Sequence, residues 1–203
     1  MKHIKTKNKL NVNVSSFFLA VDRTKTLRDE ILLKTLFETG CSLSELAKIK
    51  VKDIKTPINH ITPPTITFNS RISVISKALA DNILKYINER NRRNEEYIFS
   101  QQPTKQFSVK RIEQIIQTTL LNENTNSDST KNKYLKINPQ EIRYLHIAHA
   151  LSKNLSLDTI SAQTGLSKQR LLQIIDRFNF INIQSYSSFF EDKYTTKSYR
   201  EGK

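Results

Sequence analysis

Cysteine, acidic residues and long apolar runs are what this 203-residue sequence has least of. Cys41 is its only cysteine, so an internal disulfide is excluded, and so is any zinc site built on thiolates. The four histidines, His3, His60, His146 and His149, stand at no metal-binding spacing with further ligands, and neither a metal nor another cofactor is expected. No apolar run approaches the roughly 18 residues that a membrane helix needs. The first nineteen residues lack the apolar segment of a secretory leader. A soluble, cytoplasmic protein associated with a chromosome or plasmid, without a membrane partner, is the expectation.

Acidic residues number 19 against 33 lysines and arginines, a formal charge of +14 with an isoelectric point near 9.9. Basic residues that merely solvate helix faces are normally interspersed with acidic ones, and an excess of this size points to a polyanion. Each cation set against a phosphate releases a condensed counterion, so double-stranded DNA is the favoured partner.

The length suits one domain with tails. Residues 1–25 carry Lys2, Lys5, Lys7, Lys9 and Arg23 and read as a basic, loosely docked arm. The folded domain is expected over 26–180. Thr26 to Asp29 has capping-box spacing, and Leu33, Leu36 and Phe37 continue a helical stripe that Gly40 ends. Ser42 and Glu45 repeat the capping signal for a short helix through Ile49. β-Branched segments, Thr65–Phe68 and Ile72–Ile75, flank Asn69-Ser70-Arg71 as a small hairpin.

Leu79, Ile83 and Ile87 mark one amphipathic helix, and Ile112, Ile115, Ile116 and Leu120 another. The Asn/Ser/Thr-rich stretch around 122–134 reads as a mobile loop. Asn138 as cap with Pro139 opens a helix to Leu151, and two shorter helices follow on either side of the Gly165 turn. The tail, 181–203, holds Tyr186, Phe189, Phe190, Tyr194 and Tyr199. Such an apolar stretch needs cover from its own domain or from a neighbour, and the second case implies a homo-oligomer. The fold class is mainly α with a small antiparallel sheet.

Three segments share an order and spacing with one family. Leu36 to Leu46, with Thr39-Gly40-Cys41-Ser42-Leu43-Ser44-Glu45-Leu46 at its end, followed by Val51 to Ile54, resembles the first box of the tyrosine recombinases, the phage integrase family. That box reads like T-G-L-R-I-S-E-L followed by a W-x-D-I strand. Pro139-Gln140-Glu141-Ile142-Arg143-Tyr144 stands where the family has P-H-D-L-R-H, and Ile160 to Leu166 where it has I-Q-E-L-L-G-H. Tyr97 to Ser100 matches a further short "lFxS" stretch. Ser42 and Arg143 lie 101 residues apart, close to the separation of the family's two arginines.

The resemblance implies a catalytic-domain fold over about 27–178 and a phosphoryl-transfer frame. In that frame a tyrosine attacks a DNA phosphate, two arginines bind the developing charge, and histidine or lysine moves protons. Here the first arginine position is Ser42, the histidine before the second is Gln140, the histidine after the glycine is Leu166, and the nucleophile position falls at Ile175. Only Arg143 remains. Arg71 is the sole cation of the hairpin, and its guanidinium is no proton donor of lysine's acidity. A bidentate guanidinium cannot be replaced by serine, and removing several members of a catalytic unit leaves no useful rate.

The expectation is a DNA-binding protein that does not cut, acting as an architectural or regulatory factor through Arg71, Gln140, Arg143, Lys168 and Arg170. Two other readings stand beside it. One is a helix-turn-helix regulator with Ser167–Leu171 opening the recognition helix and Lys168, Gln169 and Arg170 reading bases. The other is an active integrase using a displaced tyrosine, Tyr186. His146 and His149 are expected to pack or cap rather than bind metal.

Overall fold

The structure is a computed structural model and describes Leu10 and residues 13–57, 61–121 and 139–178. The expected arm 1–25 is corrected in part: Val14–Asp22 is a helix, α1, whose N-cap Asn13 accepts a hydrogen bond from the Ser16 N–H at 2.8 Å. Val14, Phe17, Ala20 and Val21 recur at helical spacing and are buried in the main core, where Phe17 stacks on Phe37 with ring centroids 5.3 Å apart. The folded body therefore starts ahead of Thr26, because this apolar stripe outweighs the lysines that precede it.

Helix α2, Leu27–Thr39, starts on the Thr26 hydroxyl and ends at Gly40, whose φ of 56° is the left-handed region that glycine enters at little cost. The short α3, Leu43–Leu46, stops ahead of the Ile49 end read from the sequence. After a single 3-10 turn at Val51–Asp53, three antiparallel strands follow: β1 Ile54–Lys55, β2 Thr65–Phe68 and β3 Arg71–Val74, in that spatial order. Phe68 pairs with Arg71, so the hairpin turn is Asn69-Ser70 and Arg71 belongs to the strand instead of the loop. Ile66, Phe68 and Ser73 are buried on the inner face, while Ile72 and Val74 are exposed on the outer one.

Helices α4, Lys77–Glu89, and α5, Val109–Leu121, bury the stripes expected of them. Helix α6, Pro139–Ser152, crosses between two apolar clusters. Its Ile142 and Leu145 belong to the main core, whereas Tyr144, Ile147, Ala148 and Ala150 join Ile160, Leu171 and Ile174 in a smaller one. That second cluster is completed by α7, Leu157–Thr164, and α8, Lys168–Phe178, joined through Gly165 at φ 71°. The fold is mainly helical with one small sheet, as the sequence implies. The Asn138 cap, the loop around 122–134 and the tail with Tyr186 lie outside the described residues.

Candidate functional site

Ser42 ends the turn after α2 and caps α3. Its hydroxyl accepts the Glu45 N–H at 3.2 Å, and its own N–H and hydroxyl donate to Glu45 Oε2 at 2.7 and 2.9 Å, a reciprocal capping box. Both polar groups of Ser42 are thus engaged within α3. Across from it, Arg143 stands one turn into α6, half-buried, and donates from Nη2 to the Thr164 carbonyl at 2.5 Å. Burial lowers its pKa from the ordinary guanidinium value, with Glu45 nearby pulling the other way, and it stays a cation. Gln140 is exposed on the same helix, and its Oε1 accepts the Tyr144 hydroxyl at 3.0 Å.

Ser42, Gln140 and Arg143 line one cleft of about 270 Å³, together with Leu36, Cys41, Leu43, Ser44, Pro139 and Glu113 of α5. The convergence of Ser42 with Arg143 across a hundred residues is what the motif spacing implies. Glu113 was not foreseen, because α5 shows nothing in sequence beyond an amphipathic stripe. Cys41 in the wall is fully buried, and loss of hydration pushes its thiol up to about 11, so it is no nucleophile at neutral pH.

Leu166 and Ile175 do not reach this cleft. Both are partly buried against the smaller core cluster, where an apolar side chain gains more from contact than from exposure. Arg71 also departs from its expected place on a DNA-facing surface. Its side chain is 7% exposed, its Nε and Nη2 lie 3.2 and 3.1 Å from Glu45 Oε1, and its Nη1 donates to the Ser73 hydroxyl and the Gln163 carbonyl. Its guanidinium also covers the Phe68 ring at 4.1 Å.

Arg71 and Arg143 therefore meet the last two carbonyls of α7, those of Gln163 and Thr164, which have no partner within the helix. Two cations at the negative end of the helix dipole are favourably placed. Gly165 leaves the room they need: a Cβ there would lie 2.7 Å from Arg71 Nε. Gly40 does the same on the other side, where a Cβ would meet Thr164 Cγ2 at 2.8 Å and His146 Cδ2 at 2.9 Å.

Gln163 completes the joint. Its side-chain Oε1 accepts the Val74 N–H at 3.0 Å, and its Nε2 donates to the Val74 carbonyl at 2.7 Å and the Glu38 carbonyl at 3.0 Å. A single amide ties α7 to β3 and to the end of α2. Nothing local in the sequence marks it, since its partners lie about ninety residues or more away.

The two cations of the helix-turn-helix reading are exposed on α8. Lys168 Nζ lies 2.5 Å from Asp158 Oδ1, and Arg170 Nη1 donates to Gln173 Oε1 at 3.0 Å. His146 and His149 pack on the Phe37 ring, with centroids 6.2 and 5.8 Å from it. Among the described residues no group of three metal-ligating side chains forms, and no helix is long and apolar enough to cross a membrane.

The model of the family described as "Phage integrase family" matches residues 9–174 of this chain. No curated protein matches it in sequence. Among solved structures, XerA recombinase superposes with a TM-score of 0.69 at 16% identity, over 93% of this chain and 68% of that one. XerH recombinase bound to its difH substrate gives 0.67 at 16% identity, over 89% of this chain and 55% of that one. The catalytic domain of bacteriophage HP1 integrase gives 0.52 at 12% identity, over 96% of this chain and all of that one. The chain thus spans little more than half of the XerH polypeptide and the whole of a family catalytic domain. At such identities the likeness is one of fold. With the sequence match across most of the described residues, the chain belongs to the phage integrase family, with the fold of a tyrosine recombinase catalytic domain.

Proposed function

We propose that this protein binds duplex DNA through the cleft face of the recombinase fold and does not cleave it, serving as an architectural or regulatory factor. The observation that carries the reading is the content of the cleft. Ser42, which the resemblance sets at the place of a phosphate-binding arginine, is used up as a helix cap, and Arg143 alone brings a positive charge to the cavity wall among the described residues. One guanidinium without a second, a proton donor or a nucleophile at Ile175 attracts a phosphodiester without stabilising its transition state. The net charge of +14 supports retained attraction for DNA, and solved relatives by fold include one described as bound to its difH substrate.

The test has two arms. In the first, duplex binding is titrated against salt for Arg143→Ala, Gln140→Ala and the pair Lys168→Ala/Arg170→Ala. Loss at Arg143 and a reduced salt slope support the cleft. Loss confined to the α8 pair favours the helix-turn-helix regulator, to which the exposed Lys168 and Arg170 lend their weight. In the second arm, a suicide substrate is incubated with the protein. A covalent adduct that disappears in Tyr186→Phe would overturn the claim that the protein does not cut and favour an integrase with a displaced tyrosine.

A further inference from the structure

Glu113 is the one acidic side chain lining the cleft of Ser42, Gln140 and Arg143. It projects from the exposed side of α5, next to the buried Ile112, and takes part in none of the ion pairs among the described residues. Neither Lys110 nor Arg111, its neighbours on α5, neutralises it; Arg111 Nη1 turns to Gln114 Oε1 at 3.2 Å instead.

The charge of the cleft follows by addition of its wall. Arg143 contributes one positive charge and Glu113 one negative, while Ser42 and Gln140 contribute none; Glu45, behind the wall, also acts on the Arg143 charge. Glu113 and Arg143 line the same cleft, so a phosphate drawn to Arg143 enters a cavity that a carboxylate also borders, and the two like charges repel. We infer that Glu113 is a specificity-determining residue of the DNA-binding face: its carboxylate disfavours the seating of a phosphodiester on Arg143. Arg143 still contributes to duplex binding, and the phosphate opposite it is held less tightly than a guanidinium facing no carboxylate would hold it. The inference rests on the DNA-binding reading and refines it by saying where along the interface the backbone is kept at a distance.

The experiment measures anisotropy of a fluorescent duplex at low salt for the full chain and for Glu113→Gln, with Glu89→Gln as control. Glu89 is an exposed glutamate at the end of α4, lies outside the cleft, and makes the same change in net charge. Glu113→Gln is expected to bind roughly fivefold more tightly, and Glu89→Gln less than about twofold. Arg143→Ala and Arg143→Lys are then placed in both backgrounds. Each is expected to weaken binding more when residue 113 is glutamine, because only there is the phosphate fully seated. Equal tightening by Glu113→Gln and Glu89→Gln, or an Arg143 effect that ignores residue 113, overturns the role of Glu113 while leaving DNA binding intact. Failure of the unaltered protein and all variants to bind duplex overturns the DNA-binding reading, and this inference with it.

Discussion

Taking away the Glu45 carboxylate would leave the Arg71 guanidinium, 7% exposed, with no counter-charge, and would strip Ser42 of its capping partner. Glu45→Ala should therefore cost about 3–5 kcal/mol in urea denaturation, the range for breaking a buried ion pair from one side. Arg71→Met combined with Glu45→Ala should recover part of that loss, since no uncompensated charge remains. Gly40→Ala tests the neighbouring contact. A φ of 56° together with two contacts under 3.0 Å predicts a loss of about 1–3 kcal/mol by the same measurement. At this scale the sequence was most informative where partners are close in the chain. The Ser42–Glu45 box is visible in four letters, whereas the pairing of Glu45 with Arg71 crosses 26 residues and needs the hairpin to be folded first.

Helix α7 is held less by its own apolar face than by its end. Ile160 and Thr164 are its buried residues, and the rest of its anchorage is polar: two guanidiniums on its final carbonyls and the Gln163 amide across β3. Gln163→Ala removes three of these hydrogen bonds and should destabilise the fold by about 1–3 kcal/mol. Hydrogen exchange gives a sharper reading. The Val74 amide should exchange much faster in the variant, while the Ile66 and Ser73 amides, paired within the hairpin, keep their protection. Helices α2, α4, α5 and α6 were legible as elements because each carries an apolar stripe at helical spacing, and α7 and α8 because Gly165 marks the turn between them. Helix α1 was not read from the sequence, although Asn13 caps it and Val14, Phe17 and Val21 share one face. The run of lysines before it drew the reading toward a loose arm. Arg71 was placed in the turn because a three-residue loop and a two-residue loop differ by one register step that only pairing decides.

For the molecule as a whole, the α2–α6 interface makes stability depend on pH. His146 is buried against Phe37 and beside Arg143 and Arg71, and loss of hydration lowers its pKa from 6.5 to about 4. Above pH 6.5 both folded and unfolded chains carry it neutral. As the pH falls from 6.5 toward 4, the unfolded chain binds a proton that the folded one refuses, so stability decreases, by up to about 3 kcal/mol. His149, lowered by burial and by Lys153, acts with the same sign. Denaturant midpoints measured from pH 7.5 to 4.5 should fall steeply, and the fall should be shallower in His146→Gln. If the two profiles are parallel, His146 is not the group responsible. The family frame was readable from three short segments because their order and separations survive the loss of individual letters. The balance of charge inside the cleft was not, since Glu113 reaches it from a helix without any motif.

The amide of Gln163 also bears on how the protein behaves when concentrated. Strand β3 is an outer strand, and its outward-facing Val74 N–H and carbonyl would ordinarily offer a foothold for a strand from another molecule. A glutamine side chain reproduces the donor and acceptor of a neighbouring backbone and closes that foothold from within. Helix α7 packs along β3, and with Ile72 and Val74 exposed on that strand the two Val74 bonds of Gln163 help to keep its edge from pairing with another molecule.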